Sequence, residues 1–144
     1  MPRFVILRHE VPEPFPRPSH WDLMLEAGDV LLTWSLLRTP ISNQSMSAEL
    51  LSEHRKMYLD YEGPISGHRG RVRRWDWGDF EWLQRTDDRY SVRLRGERLR
   101  GTMTLQSTAP GRSWQLMFVS EEATATDDDG SSKMNGTDGA DSSG

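Results

Sequence analysis

The sequence predicts a mainly β chain: an antiparallel β-barrel of about eight strands with at most one or two short helices, followed by a disordered acidic tail. Three observations predict it. Short apolar or alternating runs recur along residues 4–120, each closed by a Gly, Pro or Asp cluster, which is the rhythm of strands and turns in a closed sheet. A single stretch, 47–58, carries apolar residues at spacings of three and four. Residues 121–144 are Asp, Ser, Gly and Thr with hardly an apolar side chain, so burial cannot offset their ordering entropy. The chain is accordingly read as one barrel domain, 1–120, and a tail, 121–144.

The first strand is Phe4 to His9, apolar and β-branched and ending in polar residues. Residues 12–18 hold four prolines in seven and form an extended loop, because proline neither continues a helix nor donates to a ladder. Residues 20–26 and 30–37 flank Ala27-Gly28-Asp29 and predict a hairpin. Residues 39–47 are polar and turn-like. In 47–58 a Ser cap followed by Leu50, Leu51, His54, Met57 and Tyr58 argues for a helix, with an irregular strand left open by its short length. Glycines and a proline at 63–70 mark a loop. A meander follows: a strand over 71–77, a Gly78-Asp79 turn, a return over 80–84, a turn at 86–88, and strands over 90–95, 102–106 and 113–120.

Charge is unevenly spread. The net charge is −4, but residues 121–144 carry seven carboxylates and one Lys, which leaves +2 on residues 1–120. The cations of that body are sixteen Arg and one Lys. Arg suits bidentate phosphate contact, but for the Arg-rich strands at 69–74 and 93–100 a solvated face balanced by Asp and Glu is the favoured reading and a phosphate-backbone track the alternative. There is no Cys, so disulfides and thiolate metal sites are excluded, and a metal has to be held by His and carboxylate. No apolar run approaches the roughly 20 residues of a spanning helix, and the start lacks the apolar stretch of a secretory leader. A soluble, cytoplasmic protein without a membrane partner is the expectation.

The chemistry concentrates on Ser19 to Glu26. Residues two apart in a strand share a face, which groups His20, Asp22, Met24 and Glu26 against Trp21, Leu23 and Leu25. An imidazole and a carboxylate two strand positions apart point at one small volume. With His9 at the end of the first strand they make a two-His-one-carboxylate set, the composition that binds Mn²⁺, Fe²⁺ or Zn²⁺ with open positions. His68, in the Gly-rich loop, receives no role.

These residues, taken with others in the same order, resemble the 3′-phosphoesterase domain of bacterial DNA ligase D and its stand-alone relatives. The resemblance is carried by Leu7-Arg8-His9-Glu10, by His20-Trp21-Asp22-Leu23-Met24-Leu25-Glu26 and by Thr33-Trp34-Ser35-Leu36-Leu37-Arg38. It continues through His54 to Gly63, Val72-Arg73-Arg74-Trp75-Asp76-Trp77-Gly78 and the Leu94-Arg95-Gly96 to Leu99-Arg100-Gly101 segment. It implies a β-barrel enzyme, dependent on Mn²⁺ (Zn²⁺ or another divalent ion being the alternative), that processes nucleic-acid 3′ ends. The reaction implied is removal of a 3′-phosphate or a 3′-terminal ribonucleotide in DNA repair. Its partners would be a DNA or DNA/RNA primer-template and, alongside, a DNA ligase or repair polymerase.

The family's metal ligands fall on His9, His20 and Asp22. Its catalytic and phosphate-contacting His and Tyr fall on His54 and Tyr58, and its Lys on Arg38, which keeps the positive charge. Where the family has an Arg on the face of His20 and Asp22, this chain has Met24. Arg17, on the proline-rich insertion, is the candidate to replace it in substrate binding. Met24→Arg is then the substitution that tests whether that cation is what the site lacks. Two other functions share these features: a non-catalytic, metal-stabilised domain that binds nucleic-acid ends or a repair partner, and a phosphoesterase for a different, small phosphate ester.

Overall fold

The computed structural model describes residues 1–12 and 18–121. Arg17 and the acidic tail beyond Glu121 lie outside the described residues. Nine strands form one antiparallel sheet: β1 (Arg3–Glu10), β2 (His20–Ala27), β3 (Val30–Leu36), β4 (Ser45–Arg55), β5 (Gly63–Pro64), β6 (Arg71–Arg85), β7 (Arg89–Gly96), β8 (Arg100–Ser107) and β9 (Ser113–Ser120). Their order is β1-β2-β3-β4-β9-β8-β7-β6-β5, and β1 also pairs with β6. That last pairing closes eight strands into the expected barrel, with the two-residue β5 attached outside it on β6. Closure leaves the barrel without free sheet edges. No helix among the described residues is long and apolar enough to cross a membrane.

Two expectations are corrected. Residues 47–58 are not a helix but follow the other reading, an irregular strand. β4 runs through Ser45–Arg55, and only Lys56–Leu59 make a single 3₁₀ turn. Met46 and Ala48 enter the core at the two-residue period of a strand, and the β3–β4 register then shifts between Leu31 and Thr33. The shift places an extra residue in β4 between Leu51 and His54, so these two outward positions stand three apart and imitate a helical spacing. Gly78-Asp79 is not a hairpin turn either. β6 is one fifteen-residue strand that pairs with β1 through 71–79 and with β7 through 78–85. Gly78 serves close approach: a Cβ there would stand 2.2 Å from the Arg95 carbonyl oxygen.

Both faces of β1 and β2 are covered, which explains the unbroken apolar run Phe4–Leu7. Phe4, Ile6, Leu23, Leu25 and Trp34 join the barrel interior. Val5, Leu7, Met24 and Leu31 face outward and form a second cluster with Leu59 and Val72, beneath Tyr58, Tyr61 and Ile65. The segment 56–65 thus lies across the outer face of the barrel. Ion pairs hold its start, Lys56 to Glu26 at 2.7 Å and Arg3 to Asp60 at 2.6 Å. Asp76, fully buried, accepts from the backbone N–H groups of Trp77, Arg98 and Leu99 at 2.8–2.9 Å and so fixes the β7–β8 turn against β6. Burial pushes its carboxyl above the ordinary value, and those N–H groups pull against that rise.

Candidate metal centre

His9 and His20 are cross-strand partners on β1 and β2, with ring centroids 4.8 Å apart. Asp22, two residues along β2, points to the same side. His20 Nε2 lies 3.2 Å from Asp22 Oδ1, and His9 Nδ1 lies 3.7 Å from Asp22 Oδ2. One ligand atom from each of the three residues falls within 4.8 Å of the others. His20 and Asp22 are buried, and His9 is partly exposed, so the group opens to solvent on the β1 side.

The hydrogen bonds assign the ring tautomers. His20 Nδ1 lies 3.0 Å from the Pro18 carbonyl oxygen, and His9 Nε2 lies 2.8 Å from that of Arg69. A carbonyl only accepts, so each of those nitrogens carries the hydrogen. In the neutral rings His20 Nε2 and His9 Nδ1 therefore present lone pairs, and both face the Asp22 carboxylate. Asp22 Oδ1 is buried with no hydrogen-bond partner, despite its 3.2 Å approach to His20 Nε2. Burial pushes the Asp22 carboxyl up, and the neighbouring rings, His20 before His9, outweigh it and hold the group at about 2. An anion facing two lone pairs needs a positive charge between them, a ring proton or a cation. The donor set fits a divalent ion: two imidazoles and one carboxylate, each ring oriented by a backbone acceptor behind it, as metal-binding histidines are.

The other predicted residues take up different positions. His54 ends β4 on the same outer face, where Leu31 pairs with it and with Glu26. Glu26 is four residues along β2 from Asp22, a displacement of about 13 Å along the strand. His54 Nδ1 donates to the Ser52 carbonyl at 2.8 Å, and its ring meets the Tyr58 ring edge-on at 5.7 Å. The i, i+4 pair therefore meets without a helix, through a strand end and a 3₁₀ turn. Arg38 lies beyond β3, with Nη1 and Nη2 at 3.3 Å from the Thr39 and Ser45 carbonyls.

Met24 does share the face of His20 and Asp22, but it is 1% exposed inside the outer apolar cluster. Glu26, the fourth position of that face, is taken up by the Arg3 N–H and Lys56. Only the first half of the face is available for ligands. The Arg-rich strand faces carry balancing carboxylates, the first of the two readings: Arg93 and Arg95 reach Glu81 at 3.5 and 3.6 Å, and Arg73 reaches Glu10 at 3.7 Å.

Sequence reasoning missed the backbone groups behind the two rings. Pro18, the last proline of the insertion, gave a faint signal. Arg69 gave none, since its carbonyl reaches His9 only through the folding of the 63–70 loop. It also missed a cavity of 610 Å³ beside His20, whose lining extends to Arg112 and Ser113 at the start of β9.

No curated protein matches this chain. The family model described as the DNA Ligase D 3′-phosphoesterase domain matches residues 9–107. The match opens on His9, contains the whole His9, His20 and Asp22 group, and runs through β8 of the eight-stranded barrel. By that match the chain belongs to the DNA ligase D 3′-phosphoesterase domain family.

Proposed function

We propose that the protein is a metal-dependent phosphoesterase that processes nucleic-acid 3′ ends in DNA repair, removing a 3′-phosphate or a 3′-terminal ribonucleotide. The observation that carries the reading is the convergence of His9 Nδ1, His20 Nε2 and the unpartnered Asp22 Oδ1, with the opposite ring nitrogens tied to carbonyls. His9, His20 and Asp22 would hold the ion, Mn²⁺ by family resemblance with Zn²⁺ or another divalent ion as the alternative. When bound, such a cation supplies Lewis-acid polarisation of the phosphoryl oxygens.

The chain's own residues bind and orient the ester. Arg38 neutralises phosphate charge; its two backbone contacts are at 3.3 Å, long enough to be exchanged for a phosphate at small cost. His54, with Nδ1 held by Ser52, has Nε2 left to contact a phosphate; it pairs through Leu31 with the Glu26 end of β2, about 13 Å along from Asp22, so that contact is with a part of the substrate away from the ion. Tyr58, with a hydroxyl pKa of about 10, is a positioning donor. Arg17 is a substrate contact in the same proposal. The nucleic acid would be a DNA or DNA/RNA primer-template, with a ligase or repair polymerase acting on the processed end.

One observation favours a second reading, a non-catalytic binder of nucleic-acid ends. Met24 is sealed in an apolar cluster at a position where a phosphate-binding Arg was expected. Phosphate release from a 3′-phosphorylated primer, measured with Mn²⁺, Zn²⁺ and chelator, separates the two. Release that needs the metal and disappears in Asp22→Asn supports the enzyme. Binding of the primer without release under any divalent ion supports the second reading. Release from a small aryl phosphate alone would assign a different substrate to the same site.

A further inference from the structure

The 610 Å³ cavity beside His20 is not claimed by the reaction above. It crosses the strands at the level of the metal group. Cross-strand pairing forms a row from Asp22 to Ser35, Glu49 and Ser113, all on one face. Three strand spacings separate its ends, about 14 Å. The cavity follows this row and is lined by His20, Ser35, Ser47, Thr108, Arg112 and Ser113. Its size is that of a ligand site, within the usual range of about 300–1,000 Å³. Four of its lining residues carry hydroxyls, Pro18, Leu37, Ala48 and Trp114 add apolar surface, and Arg112 is its one Lys or Arg.

Arg112 is held for use. Its carbonyl accepts from the Leu50 N–H at 2.8 Å, and its Nη1 donates to the Leu50 carbonyl at 3.2 Å. The Thr108 N–H closes the loop onto the Ser113 carbonyl at 3.0 Å. The guanidinium is thus anchored by one nitrogen while its side chain stays exposed, and the remaining N–H groups suit a phosphate. Glu49 lines the cavity between Arg112 and His20. A carboxylate there repels phosphate, so the anion belongs at the Arg112 end and a sugar hydroxyl or base amino group beside Glu49.

We propose that this cavity is a second subsite, in which Arg112 binds a backbone phosphate upstream of the 3′ end held at His9, His20 and Asp22. The inference rests on the phosphoesterase reading and adds a second contact point to it: a polynucleotide strand is bound at two points, and a mononucleotide at one. The β8–β9 loop thus adds a cation about 14 Å from Asp22, at the far end of the cavity.

Equilibrium binding tests this apart from turnover. Fluorescence anisotropy would compare a 3′-phosphorylated deoxyoligonucleotide with a fluorescent deoxynucleoside 3′-phosphate across a salt series. Arg112→Ala should weaken oligonucleotide binding about tenfold, change mononucleotide binding less than twofold, and lower the salt slope by about one. Arg112→Lys should recover most of the affinity, which separates charge from loop structure, and thermal melts would check that both variants fold. Equal weakening of both ligands, an unchanged salt slope, or no oligonucleotide binding by the wild type would overturn the proposal. Tight two-point binding without phosphate release would leave this subsite standing and remove the catalytic reading.

Discussion

His9 and His20 face each other in register across β1 and β2, and each turns its far ring nitrogen onto a backbone carbonyl, Arg69 for His9 and Pro18 for His20. The pairing fixes both the distance between the rings and the nitrogens they present. It also ties the His9, His20 and Asp22 group to two loops, since Pro18 ends the proline-rich insertion and Arg69 belongs to the 63–70 loop. A change in either loop should therefore reach that group.

Asp22 gives the first prediction. Its folded pKa is depressed to about 2 from the ordinary 3.8, so the stabilisation is complete above 3.8 and is lost as pH falls toward 2. The difference corresponds to about 2 kcal/mol. Urea melts of the metal-free protein between pH 5 and 2 should show that loss in the wild type and not in Asp22→Asn. Parallel pH profiles for the two proteins would remove the electrostatic coupling of Asp22 to the rings. At neutral pH Asp22→Asn should weaken Mn²⁺ binding at least about a hundredfold by calorimetry, since losing a ligand exceeds the usual 10–100-fold effect of losing an outer-shell partner.

Met24 gives the second. From the sequence alone, Met24→Arg is the natural way to restore a phosphate clamp. In the folded protein that guanidinium would enter a cluster of Val5, Leu7, Leu31, Leu59 and Val72. An unpaired buried charge costs at least about 3 kcal/mol. Met24→Arg should lower the melting temperature by ten degrees or more, whereas Met24→Leu, close in volume, should cost less than about 1.5 kcal/mol. A stable, more active Met24→Arg would show that the outer cluster opens and that Met24 belongs to the site.

The third concerns Asp76. Asp76→Ala leaves the N–H groups of Trp77, Arg98 and Leu99 without their acceptor, at about 1–3 kcal/mol for each group that stays buried. Asp76→Asn keeps one accepting oxygen and should fall between wild type and Ala. Denaturant midpoints measure the order; Ala as stable as Asn would mean that water replaces the carboxylate.

Gly78 gives the fourth. Because a Cβ there meets the Arg95 carbonyl oxygen at 2.2 Å, Gly78→Ala should force β6 and β7 apart and destabilise the barrel by a few kcal/mol. Amide exchange should find residues 76–82 protected as a continuous strand in the wild type. Fast exchange at 78–79 would restore the turn that the sequence suggests.

These cases show what the sequence made legible. The two-residue alternation of 20–26 placed His20 and Asp22 on one face, and regular turn spacing gave the barrel, because both are local patterns. The same pattern could not say that a later segment, 56–65, folds over Met24 and hides it. Leu51 and His54 looked helical because a register shift between strands leaves no mark beyond an altered period. Gly78-Asp79 looked like a turn because a glycine needed for close strand approach and one needed for a turn are the same letter. Arg112 joins the cavity that His20 lines only through the β4–β9 pairing, a contact between distant parts of the chain.

The most direct test is a crystal structure grown with Mn²⁺, with the ion located by anomalous scattering. The account predicts one ion bound by His9 Nδ1, His20 Nε2 and an Asp22 oxygen at about 2.0–2.3 Å, with the Arg69 and Pro18 carbonyl contacts retained. An ion bound through the opposite ring nitrogens, or one lodged elsewhere while the three residues stay together without it, would contradict it.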